Sequence, residues 1–197
     1  MNSLYIQKTS PALSLLLGAI MAATRFHPIG SAVGLHDASL AVFFLSGFYL
    51  RSAIFLPAFL GEAALVDYAA TIGGGSDWRI TPAYLFLIPT YAALWWGGRW
   101  YARRHRASWR TLLPLAGALF VGVSVAFLVS NAGFYLFSGY FGEMRFGQYA
   151  AEVAKYYPPY VAHPFFYVAF AVCFHLPLGA IGRSRRRFAP PMPGASQ

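Results

Sequence analysis

Leu112–Asn131 runs for twenty residues without Asp, Glu, Lys, Arg or His. A helix of roughly 20 apolar residues is what crosses the ~30 Å hydrocarbon core of a bilayer. Composition decides whether such a run lies in a protein core or in lipid. Of 197 residues, 58% are hydrophobic, 18% aromatic and only 11% charged. A soluble domain carries about a quarter charged residues, so this chain has too little polar surface to cover itself in water. The sequence predicts an integral membrane protein of the all-α class.

Five further apolar runs accompany the first. Pro82–Tyr101 has proline in its first turn and Arg99 near its end, where the side chain can reach the interface. Pro164–Gly182 ends in a cluster from Arg183 to Arg187, and Ser52–Ile72 carries Glu62 and Asp67. Pro11–Thr24 and Val33–Leu50 are shorter or weaker, separated by Arg25, His27, Pro28 and Gly30. Six transmembrane helices are expected, in one domain over residues 1–188, with a disordered tail over 189–197 rich in proline and small residues. Lys8 alone precedes the first run and no convincing small-x-small cleavage site follows, so that run reads as a retained helix.

The net charge of +9 reports topology rather than nucleic-acid binding. With both termini cytoplasmic, the inner side receives Lys8, Arg51, Arg99, Arg103, Arg104, Arg106, Arg110, Arg183, Arg185, Arg186 and Arg187. The outer side receives Arg25, Arg79, Arg145 and Lys155. Basic residues gather in cytoplasmic loops, so this arrangement is strongly favoured. No soluble basic module is visible, and no nucleic-acid partner is expected. Cys173 is the single cysteine, which leaves no intrachain disulfide and no cysteine metal cluster.

Polar and aromatic complexity falls on the outer side, in three expected loops of about 25–37, 73–81 and 132–163. A carboxylate at membrane depth costs about 2.5–3.5 kcal/mol on insertion scales, so Glu62 and Asp67 are functional candidates, Asp67 being nearer the outer surface. The segment Gly73–Arg79 joins backbone freedom to a carboxylate (Asp77), an indole (Trp78) and a guanidinium (Arg79). The helix expected to start at Pro82 turns its N-terminal dipole toward that segment. Tyr135 and Tyr160 lie among the many rings of the last outer segment, where an interfacial belt and a ligand-lining role both fit.

Among His27, His36, His163 and His175 no two share the spacing of a helical ligand pair, and they are not expected to converge. No protein-held metal is assigned. One histidine acting as axial ligand to a metal carried by a substrate stays open, with His36 beside Asp37 the best placed. No catalytic motif is present, and no enzymatic activity is expected. Ala19-x-x-x-Ala23 offers a small-residue packing face on the first helix.

The combination of Arg25-Phe26-His27-Pro28, Leu35 to Leu45 with its His36-Asp37, Asp67-Tyr68, and Asp77 to Tyr84 resembles the BtuM family. Those are small cobalamin transporters of the bacterial inner membrane, similar in fold to the six-helix S-components of energy-coupling-factor transporters. The resemblance implies a multi-pass, S-component-like bundle and a corrinoid as transported ligand rather than prosthetic group. It implies Asp67 and Tyr84 near that ligand. The family carries a cobalt-ligating cysteine after the loop tryptophan, whereas here that position is Arg79. A guanidinium has no lone pair to give cobalt, so cysteine-dependent decyanation is not expected. Two alternatives remain: an S-component for another vitamin that docks an energising module through Ala19 and Ala23, and a membrane redox protein with histidine-bound haem.

Overall fold

The computed structural model describes residues 11–26, 36–50, 52–72, 81–105, 108–142 and 144–187; for 174–187 it describes the backbone path alone. The described residues are all-helical, with seven α-helices and no strand among them. They are α1 (Pro11–Arg25), α2 (Ser39–Tyr49), α3 (Phe55–Ile72), α4 (Leu87–Arg104), α5 (Leu112–Phe137), α6 (Phe146–Ala154) and α7 (Tyr157–Arg187). Short 3₁₀ turns at Pro82–Phe86 and Trp109–Thr111 lead into α4 and α5.

Side-chain contacts fix the direction of each helix. Arg25 at the end of α1 meets Asp37 just before α2, Asp67 late in α3 and Tyr91 early in α4. His163 near the start of α7 stacks on His36, at that same end of the bundle. At the opposite end, Arg99 donates from Nη1 to the Leu50 carbonyl at 3.1 Å, and Phe48 packs on Tyr101 and His105. Leu112 and Leu115 of early α5 share an apolar cleft with Phe48, Tyr101 and Val168 there. So α1, α3 and α5 run toward the Arg25 end, while α2, α4 and α7 run away from it.

α2 is the centre of the bundle. Val42, Phe43, Phe44, Ser46 and Phe48 are all buried, as expected for a helix apolar on every side. Its closest neighbour is α4, and two glycines permit the approach. A Cβ on Gly47 would lie 2.1 Å from the Trp95 carbonyl oxygen, and one on Gly98 would lie 1.9 Å from that of Phe44. Small residues are how membrane helices bring backbones together. Leu94, Leu119 and Val123 fill the layer between α4 and α5, and Met21 packs the α1 side.

Two described stretches are long and apolar enough to cross a membrane: Phe55–Ile72 and Trp109–Phe137. Only 11% of Phe55–Ile72 is buried inside the bundle, with Leu65 and Ile72 facing out. An apolar helix that turns its large side chains outward has the opposite pattern to the core helix of a soluble protein. Glu62 lies on α3 against Gly18 of α1, and its carboxylate has no hydrogen bond or ion pair among the described residues. Glu62→Leu is therefore expected to leave the melting temperature in detergent unchanged or raise it by a few degrees, since an uncompensated charge disappears from an apolar face.

Three expectations are corrected. The outer segment 132–163 is largely helical rather than a loop: α5 continues to Phe137, α6 follows, and α7 begins at Tyr157. α6 is pinned to α5 because Tyr149 donates to the Asn131 carbonyl at 3.1 Å. The helix expected from Pro82 starts as a 3₁₀ turn, with Tyr84 N–H on the Thr81 carbonyl, and becomes α-helical only at Leu87. Val33–Leu50 supplies a described helix only from Ser39, so α2 spans about 16 Å at 1.5 Å per residue, well short of the bilayer core. The expected tail over 189–197 lies outside the described residues.

Candidate functional site

The Arg25 end of the bundle is organised by one guanidinium. Arg25 ends α1, where a cation complements the helix dipole, and its side chain is only 10% exposed. Nε and Nη2 donate to the two oxygens of Asp67, both at 2.6 Å, a planar bidentate pair. Nη1 donates to Tyr91 Oη at 2.6 Å, to Ser39 Oγ at 3.0 Å and, more distantly, to Asp37 Oδ2 at 3.3 Å. Tyr84 Oη donates to Asp67 Oδ2 at 2.6 Å. One arginine thereby joins α1, α2, α3, α4 and the Pro82 turn.

The turn before α2 is fixed by short-range bonds. Thr24 Oγ1 accepts from Ala38 N–H at 3.1 Å and donates to the Ile20 carbonyl, which fastens the turn to α1. Asp37 Oδ1 accepts from the Ser39 N–H and hydroxyl, satisfying a free donor at the helix start. Tyr167 Oη donates to the His36 carbonyl and ties the turn to α7.

Beside this network lies a cavity of about 410 Å³. It is lined by His36 and Asp37 from the turn, Leu40 from α2, Leu87, Thr90 and Tyr91 from α4, Ser130 from α5, and Tyr160 and His163 from α7. The volume is in the range of small-molecule sites, and the lining mixes apolar walls with a few polar groups. The His36 and His163 rings stack with centroids 3.8 Å apart and planes 24° apart. Burial, and then the neighbouring His36 ring, push the His163 pKa below the ordinary histidine value. His163 lies one residue outside the apolar run Pro164–Gly182.

Of the residues expected at the site, His36, Asp37 and Tyr160 line the cavity. Asp67 and Tyr84 are in the adjoining network, where Asp67 is committed to Arg25 and Tyr84 rather than set among the lining residues. Tyr135 is elsewhere, packed on Phe141, Phe146 and Tyr149 with its hydroxyl on the Met144 carbonyl. Asp77, Trp78 and Arg79 lie outside the described residues, as does His27. Glu62 does not line the cavity.

The histidines were expected not to converge, and two of them do. Helical spacing rules compare positions on one helix, whereas His36 and His163 come from different elements 127 positions apart (163 − 36). Arg25 carried a visible signal that sequence reasoning passed over. A lone arginine and a lone aspartate at matching depth in neighbouring apolar helices each need a counter-charge, and each other is the nearest supply. Among the described residues no group of three or more His, Cys, Asp or Glu is placed to hold a metal ion. The sequence matches no protein-family model and no curated protein.

Proposed function

We propose that this chain is a multi-pass inner-membrane uptake protein that takes cobalamin or a related corrinoid into an outward-facing cavity. Its central support is the cavity itself. It lies at the end of the bundle opposite Arg99, Arg103, Arg104 and Arg110, which would face the cytoplasm. The alternation of α1, α2, α3, α4, α5 and α7 between the two ends fits six crossings with both termini inside. α2 would then be flanked by a locally thinned bilayer.

A corrinoid exceeds 410 Å³, so one face or edge of the ring would enter between His36, Tyr160 and His163. Apolar walls suit the ring, while the hydroxyl oxygens of Ser130 and Thr90, each already donating to a backbone carbonyl, can still accept from its fringe of amides. Asp67 would act by holding Arg25 and Tyr84 in place around this mouth, consistent with the resemblance that puts it near the ligand. The chain would carry its ligand as cargo, without chemistry on it, because Arg79 stands where the resembled family has its cobalt-ligating cysteine.

Calorimetric titration of the purified chain with hydroxocobalamin and with cobinamide tests the proposal. Saturable 1:1 binding is expected, falling at least tenfold in Ser130→Trp, whose ring would fill the cavity while the melting temperature stays within a few degrees. Absence of heat with both corrinoids would remove the proposal. Arg79→Cys is expected to add a thiolate-type cobalt spectrum that the parent lacks.

The haem alternative finds little support in the geometry. Bis-histidine ligation needs two imidazoles on opposite faces of one iron, and stacked rings present their edges side by side, so only single-histidine ligation would fit here. A reduced-minus-oxidised spectrum without haem bands is expected. Ala19 and Ala23 are exposed on α1, so that face is open to a partner helix of an energising module. Co-purification with ATPases, lost in Ala19→Leu or Ala23→Leu, would favour that alternative.

A further inference from the structure

The polar groups around the cavity are mostly occupied. Asp37 and Tyr91 serve Arg25, Thr90 donates to the Phe86 carbonyl at 2.6 Å, and Ser130 donates to that of Phe127. The two imidazoles differ: no ring nitrogen of His36 or His163 has a hydrogen-bond partner among the described residues. The two imidazoles line the cavity and stack on each other, so their ring nitrogens are open to whatever occupies it. A free metal ion is a poor match, because no third ligating side chain joins them. A metal that arrives with its equatorial positions already filled by a macrocycle needs only one nitrogen from the protein.

We infer that the His163 imidazole is the axial ligand to the metal of a macrocycle bound in this cavity, with His36 holding the ring by stacking on its face. The inference rests on the corrinoid proposal above. His163 is the better donor because it is on a helix and partly buried, whereas His36 is exposed on the turn before α2. Stacking covers the ring face and leaves the edge nitrogens open, which is the direction from which a metal bonds. The step is a ligand exchange. The metal–water bond breaks, the nitrogen lone pair forms the new bond, the water leaves, and neither electron nor proton is transferred.

Cob(II)inamide separates the outcomes, because it brings no nucleotide base and any axial nitrogen must come from the protein. Binding is measured by equilibrium dialysis on the full purified chain, and ligation by electron paramagnetic resonance on the same samples. Each cobalt line is expected to split into a triplet from one ¹⁴N, and into a doublet in protein labelled with ¹⁵N-histidine. His163→Ala is expected to lose the splitting while still binding, and His36→Ala to keep it with affinity reduced roughly tenfold. Binding without nitrogen splitting, or splitting that survives His163→Ala, overturns the inference and leaves the corrinoid proposal standing. No retention of cob(II)inamide in dialysis overturns both. A melting temperature for each variant separates loss of the ligand from loss of the fold.

Discussion

Gly98→Ala is expected to destabilise the bundle by about 3 kcal/mol, at the upper end of what overpacking costs. The added carbon would lie 1.9 Å from the Phe44 carbonyl oxygen, a backbone atom that cannot rotate away. α2 and α4 must separate, and the buried layer of Phe43, Phe44 and Leu94 separates with them. For a chain of this size the loss corresponds to roughly 10 °C in melting temperature, readable by thermal unfolding in detergent. Gly117→Ala is the control, since nothing lies within 4 Å of its added carbon, and a helical alanine there is neutral or mildly stabilising. Equal melting temperatures for the two variants would show that α2 and α4 do not cross at Gly47 and Gly98.

Asp67→Leu is expected to cost about 3 kcal/mol, the lower end of the range for removing one partner of a buried ion pair. The lower end applies because the Asp67 side chain is 31% exposed. The damage falls on Arg25, which keeps its charge at 10% exposure and loses both bidentate bonds. Tyr84 loses its acceptor as well. If the charge left behind is the cause, Arg25→Met combined with Asp67→Leu recovers much of the loss, a coupling that a double-mutant cycle reads directly. Strictly additive effects would contradict the pairing. Glu62→Leu, one and a half turns away on the same helix, should show no such cost, because its carboxylate has no partner to strand.

The sequence made the helices legible and the contacts between them much less so. Apolar runs over Leu112–Asn131 and Ser52–Ile72 announced α5 and α3, because crossing lipid demands an uninterrupted stretch whatever the helix packs against. The same stretch reads alike whether it faces lipid or core, so the burial of α2 and the exposure of α3 were not readable. The helical form of 132–163 was missed because its Gly, Tyr and Phe residues weaken the apolar signal without preventing short helices such as α6. At the site, Asp37 and His36 were singled out by local chemistry. Arg25 was legible through the need of Asp67 for a counter-charge, whereas His163 gained meaning only from a partner 127 positions distant (163 − 36), a separation that no local pattern records.

Labelling of Ser130→Cys in a Cys173→Ser background tests most directly whether the cavity faces outward and holds a corrinoid. Ser130 lines the cavity, and the native cysteine, being exposed, must be removed first. In intact spheroplasts a membrane-impermeant maleimide is expected to label the new cysteine, and saturating cobinamide to protect it. Labelling only after the cytoplasmic face is opened, or equal labelling with and without cobinamide, would contradict the account.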